Sequence, residues 1–218
     1  MTRTHLGMAL ALILGTLVAS GALYPSLPER VPTHWNIRGE VDAYGSKSWS
    51  VLIMPIGMAV LLGVFVLLPW LSPARFRIEP FRATYGYIAV AVLALMAYIH
   101  GLTLLAALSP KLDFLRAMLS GMFLFFALIG NVLGKVRRNF WMGVRVPWTL
   151  ASERVWNDTH RFAAWIFVAC GLAGFVLSLA GFVLTATATL AIAVVAPILY
   201  SFLLYKRLER AGQLGDEA

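Results

Sequence analysis

Two polar clusters and one isolated histidine carry the side chains of this chain that could do chemistry. The first cluster is His34-Trp35-Asn36, an imidazole, an indole N–H and an amide side by side, followed by Gly39, Asp42 and Lys47. These residues lie in the polar island Pro25–Lys47, which also holds Pro25, Pro28 and Pro32. A plain connector between apolar segments needs none of this chemistry. The second cluster is Glu153, Trp156, Asn157 and His160, spaced i, i+3, i+4, i+7 and so expected on one face of a helix. A carboxylate beside an imidazole can move a proton. No nucleophile, phosphate loop or ligand set accompanies the pair, so neither a catalytic residue nor a cofactor is expected, and the chain reads as not an enzyme. His34 has no second His or Cys at ligand spacing, which argues against a metal site. His100 is the third feature, a polar group inside an apolar run.

The elements that must position these groups are membrane helices. Of 218 residues, 60% are hydrophobic and 13% charged. A soluble domain has roughly 45–50% apolar and about 25% charged residues. The apolar residues form six runs: Leu6–Leu23, Val51–Leu71, Thr84–Leu108, Leu112–Gly134, Phe162–Leu184 and Ala186–Tyr205. Each is near the ~20 residues that cross a hydrocarbon core. The expected fold is therefore an all-α integral membrane protein with six transmembrane helices. Aromatic rings near run ends (Trp49, Trp70, Tyr85, Tyr87, Trp165 and Tyr205) fit the headgroup level. The prolines Pro55, Pro69 and Pro197 fall in or near spans, where neighbouring groups must satisfy the carbonyls they free.

Thirteen of the 18 basic residues fall on the side that holds the two termini, the second loop and the fourth loop. The positive-inside rule then makes both termini cytoplasmic, the island external and the basic segment 135–161 internal. The charge is thus a topology signal with attraction to the lipid bilayer, and direct nucleic-acid binding is not expected. The first run, with Arg3 ahead of it and Val18-Ala19-Ser20 or Ser20-Gly21-Ala22 behind, also has the pattern of a signal peptide. Retention as a span is the reading preferred here. Apart from Asp113 at the very start of the fourth run, the spans hold no acidic residue, so a proton or cation relay lacks its usual carboxylate.

Smaller features read as packing. Cys170 is the single cysteine and excludes an intramolecular disulfide. Cys170, Gly174 and Ser178, and Gly130 with Gly134, have the spacing of close helix contacts. In the inner segment Pro147 and Trp148 close an irregular stretch entered through Asn131 and Asn139. Gly143 permits a turn before Arg145, and Thr149 is placed to cap a helix that has Glu153 in its first turn. Each cluster has two readings. The island is either a loop anchored at the interface by Trp35 and Tyr44 or a folded cap that meets a ligand. The inner segment is either an amphipathic linker on anionic lipid or a polar network that locks this face or docks a partner.

Set beside known families, the two clusters resemble the two modules of the SdpI-like family of membrane immunity proteins. Leu27-Pro28, Pro32-Thr33-His34-Trp35, Gly39 and Ser46-Lys47 resemble its N-terminal module. Gly130-Asn131, Asn139, Gly143, Arg145, Pro147-Trp148-Thr149, Trp156 and Thr159-His160 resemble its C-terminal module. The resemblance implies one membrane domain over 1–218, with an N-terminal module at 10–72 and a C-terminal module at 112–205. It also implies a multi-pass protein of the bacterial cytoplasmic membrane that protects against a secreted, membrane-active peptide. A further implied role is signalling, by holding a small repressor at the membrane. A small transporter or flippase using His100 and the island is the alternative, and a membrane enzyme using His34 or His160 the weakest. Oligomeric state is left open by these features.

Overall fold

The computed structural model describes residues 1–109 and 111–214; the side chain of Arg75, counted above among the basic residues, lies outside this description. Among the described residues, six helices are long and apolar enough to cross a membrane. They are α1 (Arg3–Leu23), α2 (Lys47–Leu71), α3 (Arg82–Leu108), α4 (Phe114–Leu133), α6 (Glu153–Leu179) and α7 (Val183–Arg210), with a short α5 (Pro147–Ala151) before α6. The departure from an all-helical chain is a β-hairpin of β1 (Arg30–Trp35) and β2 (Val41–Ser46), paired antiparallel in the island. Val31, Val41 and Tyr44 favour strands, and Gly39 at φ +79° closes the turn between them. Pro25, Pro28 and Pro32 restrict the island to turns and extended chain but do not by themselves specify the pairing.

Local chemistry fixes the helix starts. Thr2 accepts the His5 N–H at 3.3 Å, Asp113 accepts that of Arg116 at 3.1 Å, and Ser152 accepts that of Val155 at 3.4 Å. Two boundaries differ from the sequence reading. Helix α6 begins at Glu153, well before Phe162, because its first turns bury Val155, Trp156, Thr159 and His160 against protein. The turn into α7 comes at Gly181, φ +87°, inside a stretch too uniformly apolar to show it.

Two prolines set the joints among α1, α2 and α3. Pro55 has no N–H, so it leaves the Val51 carbonyl without its helical partner. The Ser20 hydroxyl of α1 donates to that carbonyl at 3.1 Å. Pro69 does the same to the Phe65 carbonyl, and the Tyr85 hydroxyl of α3 donates to it at 2.6 Å. In a medium without water, each orphan carbonyl would be expensive. Tyr85 is therefore a fully buried structural donor and not an interfacial ring. Trp70 and Trp165, 90% and 79% exposed, remain free to meet lipid.

The most extensive helix pairing is α4 with α6. A Cβ on Gly130 would lie 2.8 Å from the Val168 nitrogen, and one on Gly171 would lie 2.6 Å from the Ala127 nitrogen. Gly174 faces the Phe123 ring. The close seam thus uses Gly130, Gly171 and Gly174. Gly134 leaves ordinary van der Waals room, and Cys170 is part-buried. The chain leaves α1 into the hairpin and leaves α4 into the inner segment, so the two polar motifs sit at opposite ends of the bundle.

Candidate functional site

At the hairpin end, the strands are irregular. The register slips between Pro32 and His34 and again between His34 and Trp35. Such bulges re-aim side chains. Trp35 turns inward and stacks on Phe114 at the start of α4, ring centroids 3.5 Å apart and planes within 4°. Gly39 lies against Leu115, where a Cβ would be 3.2 Å from the Leu115 Cβ. Val31 is fully buried. The hairpin therefore reaches from α1 and α2 across to α4 and covers that end of the bundle.

Its turn is held by its own polar groups. The Asn36 side-chain oxygen accepts the N–H of Arg38 at 2.9 Å and of Glu40 at 3.1 Å, and its amide donates to the Glu40 carboxylate at 2.8 Å. Arg38 pairs with Glu40 at 3.0 Å. Lys47 is largely covered, with its ammonium 3.8 Å from Glu29 and 4.6 Å from the Tyr24 ring centroid. His34 and Asp42 pair at 2.5 Å on the outer face, with side chains 67% and 45% exposed. Between Asn36 and Arg38 stands Ile37, 95% exposed. The sequence reading passed over Ile37. Its signal was an aliphatic residue in a turn of otherwise polar residues.

At the opposite end, the candidates form one connected staple. Asn139 is fully buried and uses both ends of its amide. Its nitrogen donates to the carbonyls of Arg137 (2.8 Å) and Met142 (3.2 Å), and its oxygen accepts the N–H of Trp141 (2.7 Å) and Met142 (2.9 Å). The Trp156 indole donates to the Val136 carbonyl at 2.8 Å. His160 stacks on Trp156, centroids 4.1 Å apart. Its Nδ1–H donates to the Trp156 carbonyl at 2.8 Å, leaving Nε2 to accept the Val144 N–H at 3.0 Å. The ring is thus neutral, with both nitrogens engaged, and holds no lone pair for proton transfer or metal.

Gly143 completes the arrangement. Its φ is +105°, and a Cβ there would collide with His160 Nε2. Thr149 is not the start of the long helix, as expected from the sequence. It lies within α5, where its hydroxyl accepts the Val146 N–H at 3.1 Å and faces the Val144 carbonyl at 2.8 Å. Ser152, in extended conformation, separates α5 from α6 and supplies the cap. Pro147 opens α5, and Trp148 donates to Ser201 of α7 at 2.8 Å. Trp141 donates to Ser72 at 2.6 Å and Arg145 donates to the Phe140 carbonyl, so the segment is fastened to α2, to α7 and to itself.

The expected common face of Glu153, Trp156, Asn157 and His160 divides by burial. Trp156 and His160 are sealed inside, Asn157 is half-buried and Glu153 is exposed. An acid–base pair is not assembled. Asn131, in the last turn of α4, is exposed too. His100 is 2% exposed, and its Nε2 lies 2.7 Å from the Ser20 oxygen. With the Ser20 proton directed to Val51, His100 donates to Ser20. This links α3 to the Pro55 joint. Among the described residues no group of three His, Cys, Asp or Glu is placed to hold a metal.

Comparisons with known proteins fall on these two ends. A family model described as the SdpI/YfhL protein family matches residues 135–201, and one described as a domain of unknown function (DUF1648) matches residues 11–59. The Immunity protein SdpI of Bacillus subtilis (strain 168) is 28% identical over 199 residues, covering 88% of this chain and 92% of the relative. No solved structure matches. The SdpI/YfhL model covers the staple, the DUF1648 model covers the hairpin, and the relative aligns along most of both chains: together they support an SdpI-like family for this multi-pass membrane protein.

Proposed function

We propose that this protein confers immunity to a membrane-active peptide, with the outer hairpin as the surface that meets the peptide. The relative named an immunity protein, aligned along 88% of the chain, supports the class of function. The observation that carries the location is the hairpin tip. Ile37 is 95% exposed, beside the exposed His34–Asp42 pair, on a turn in which the N–H groups of Arg38, Gly39 and Glu40 are all bonded to Asn36. An apolar residue held out on a rigid turn suits contact with an amphipathic peptide, because little order is lost on binding.

The charge bias favours N-terminus and C-terminus inside, the hairpin outside, and residence in a bacterial cytoplasmic membrane. The opposite end then faces the cytoplasm. Its buried staple forms a fixed platform, and Asn131, Arg145 and Glu153 on its exposed side are the residues we assign to docking a small repressor. Expression in a peptide-sensitive strain tests the immunity reading. Survival above the empty vector against at least one membrane-active peptide is expected. Equal killing across a broad panel, with the protein present in the membrane, would remove it.

A further inference from the structure

Where α4 ends and α6 begins, Gly134, Arg137, Arg154, Asn157, Asp158 and Arg161 line a hollow of about 420 Å³. Three guanidiniums against one carboxylate leave it positive. Arg161 and Asp158 pair at 2.5 Å, while among the described residues Arg137 and Arg154 make no ion pair. One feature shows that part of the positive charge is placed against local preference. Arg154 lies in the first turn of α6, where the helix dipole disfavours a cation. Arg137 joins the lining from the loop after α4, where its carbonyl accepts from the Asn139 amide at 2.8 Å. An anion in the hollow would offset that charge. Arg154, Asp158, Arg161 and Trp165 follow at i, i+4, i+7 and i+11, one stripe of α6 that passes from charge to a 79% exposed indole. A ligand with a phosphate at one end and an apolar body at the other matches that stripe.

We infer that this hollow binds the phosphodiester headgroup of an anionic phospholipid, with Arg137, Arg154 and Arg161 on the phosphate and Trp165 against the acyl region. This goes beyond the immunity reading and does not depend on it. Planar guanidiniums suit phosphate oxygens.

The test uses the full-length protein in nanodiscs, with native mass spectrometry and thermal unfolding as readouts. Discs of phosphatidylglycerol in phosphatidylcholine are compared with phosphatidylcholine alone. The wild type should retain phosphatidylglycerol preferentially and unfold at a higher temperature in its presence. Arg137→Gln/Arg154→Gln/Arg161→Gln should weaken retention on the order of tenfold or more. A control of equal charge change at the end of α7, Lys206→Gln/Arg207→Gln/Arg210→Gln, should retain the lipid as the wild type does. If the first triple variant does not fold, Arg154→Gln alone should show a smaller loss in the same direction. Equal loss from both triple variants would overturn the site in favour of general surface charge. Stabilisation by inorganic phosphate alone in phosphatidylcholine discs, matching that of the lipid, would overturn the headgroup assignment.

Discussion

His160 and Val144 are joined across 3.0 Å, ring nitrogen to backbone N–H, and this bond ties the inner loop to the start of α6. The bond requires Gly143 to pass the ring without a Cβ. Most of the inner motif is consumed in this way. Asn139, Gly143, Thr149, Trp156 and His160 hold the segment from within, and what they present outward is a fixed backbone. The outer hairpin differs: Trp35 and Gly39 dock it, while His34, Ile37 and Asp42 stay outside.

Gly143→Ala is expected to destabilise the inner end severely. The backbone angle alone costs about 1–3 kcal/mol, and the collision with His160 adds to it. Thermal unfolding in detergent should show a clear drop in melting temperature and loss of folded yield. A variant as stable as the wild type would contradict the staple.

Tyr85→Phe should cost about 1–3 kcal/mol by leaving the buried Phe65 carbonyl unpaired. The informative comparison is the double variant Tyr85→Phe/Pro69→Ala. Alanine at 69 restores the N–H that reaches the Phe65 carbonyl along the helix. The loss in the double variant should therefore be smaller than the sum of the single losses. Strict additivity would show that the hydroxyl does not serve the proline-freed carbonyl.

Ser20→Ala with Pro55→Ala gives the same cycle at the other joint, where Ser20 meets the Val51 carbonyl. Here His100 also loses its acceptor, so the single Ser20→Ala loss should exceed that of Thr103→Ala, whose hydroxyl bonds only within its own helix. Unfolding of the four variants in one detergent measures both differences.

Trp35→Ala should undock the hairpin from α4 while leaving the bundle folded. A cycle with Phe114→Ala should give a coupling of about 0.5–1.5 kcal/mol, the usual worth of an aromatic pair. Faster proteolysis within residues 30–46, without a change in the helical spectrum, is the second readout.

Much of this architecture was legible in the sequence because membrane helices advertise themselves by length and hydropathy. Both polar motifs stood out against that background. The hairpin did not, because its strands are short, bulged and interrupted by Pro32, so period-two alternation is lost. The division of labour was hidden for another reason. Spacing puts Glu153 and His160 on one face, but burial is decided by what packs there, and residues 136–144 come from elsewhere in the chain. The proline joints were half visible: Pro55 and Pro69 announced freed carbonyls, while Ser20 and Tyr85 as their donors required the packing of three helices.

The central claim is that recognition rests on the exposed hairpin tip. Survival of peptide-sensitive cells producing Ile37→Asp, with membrane abundance matched to the wild type, tests it most directly. The account predicts that protection falls to near the empty-vector level, because a charge replaces the apolar contact while the turn keeps its bonds. Full protection by Ile37→Asp, retained in Ile37→Asp/His34→Ala, would contradict it and move recognition away from the tip.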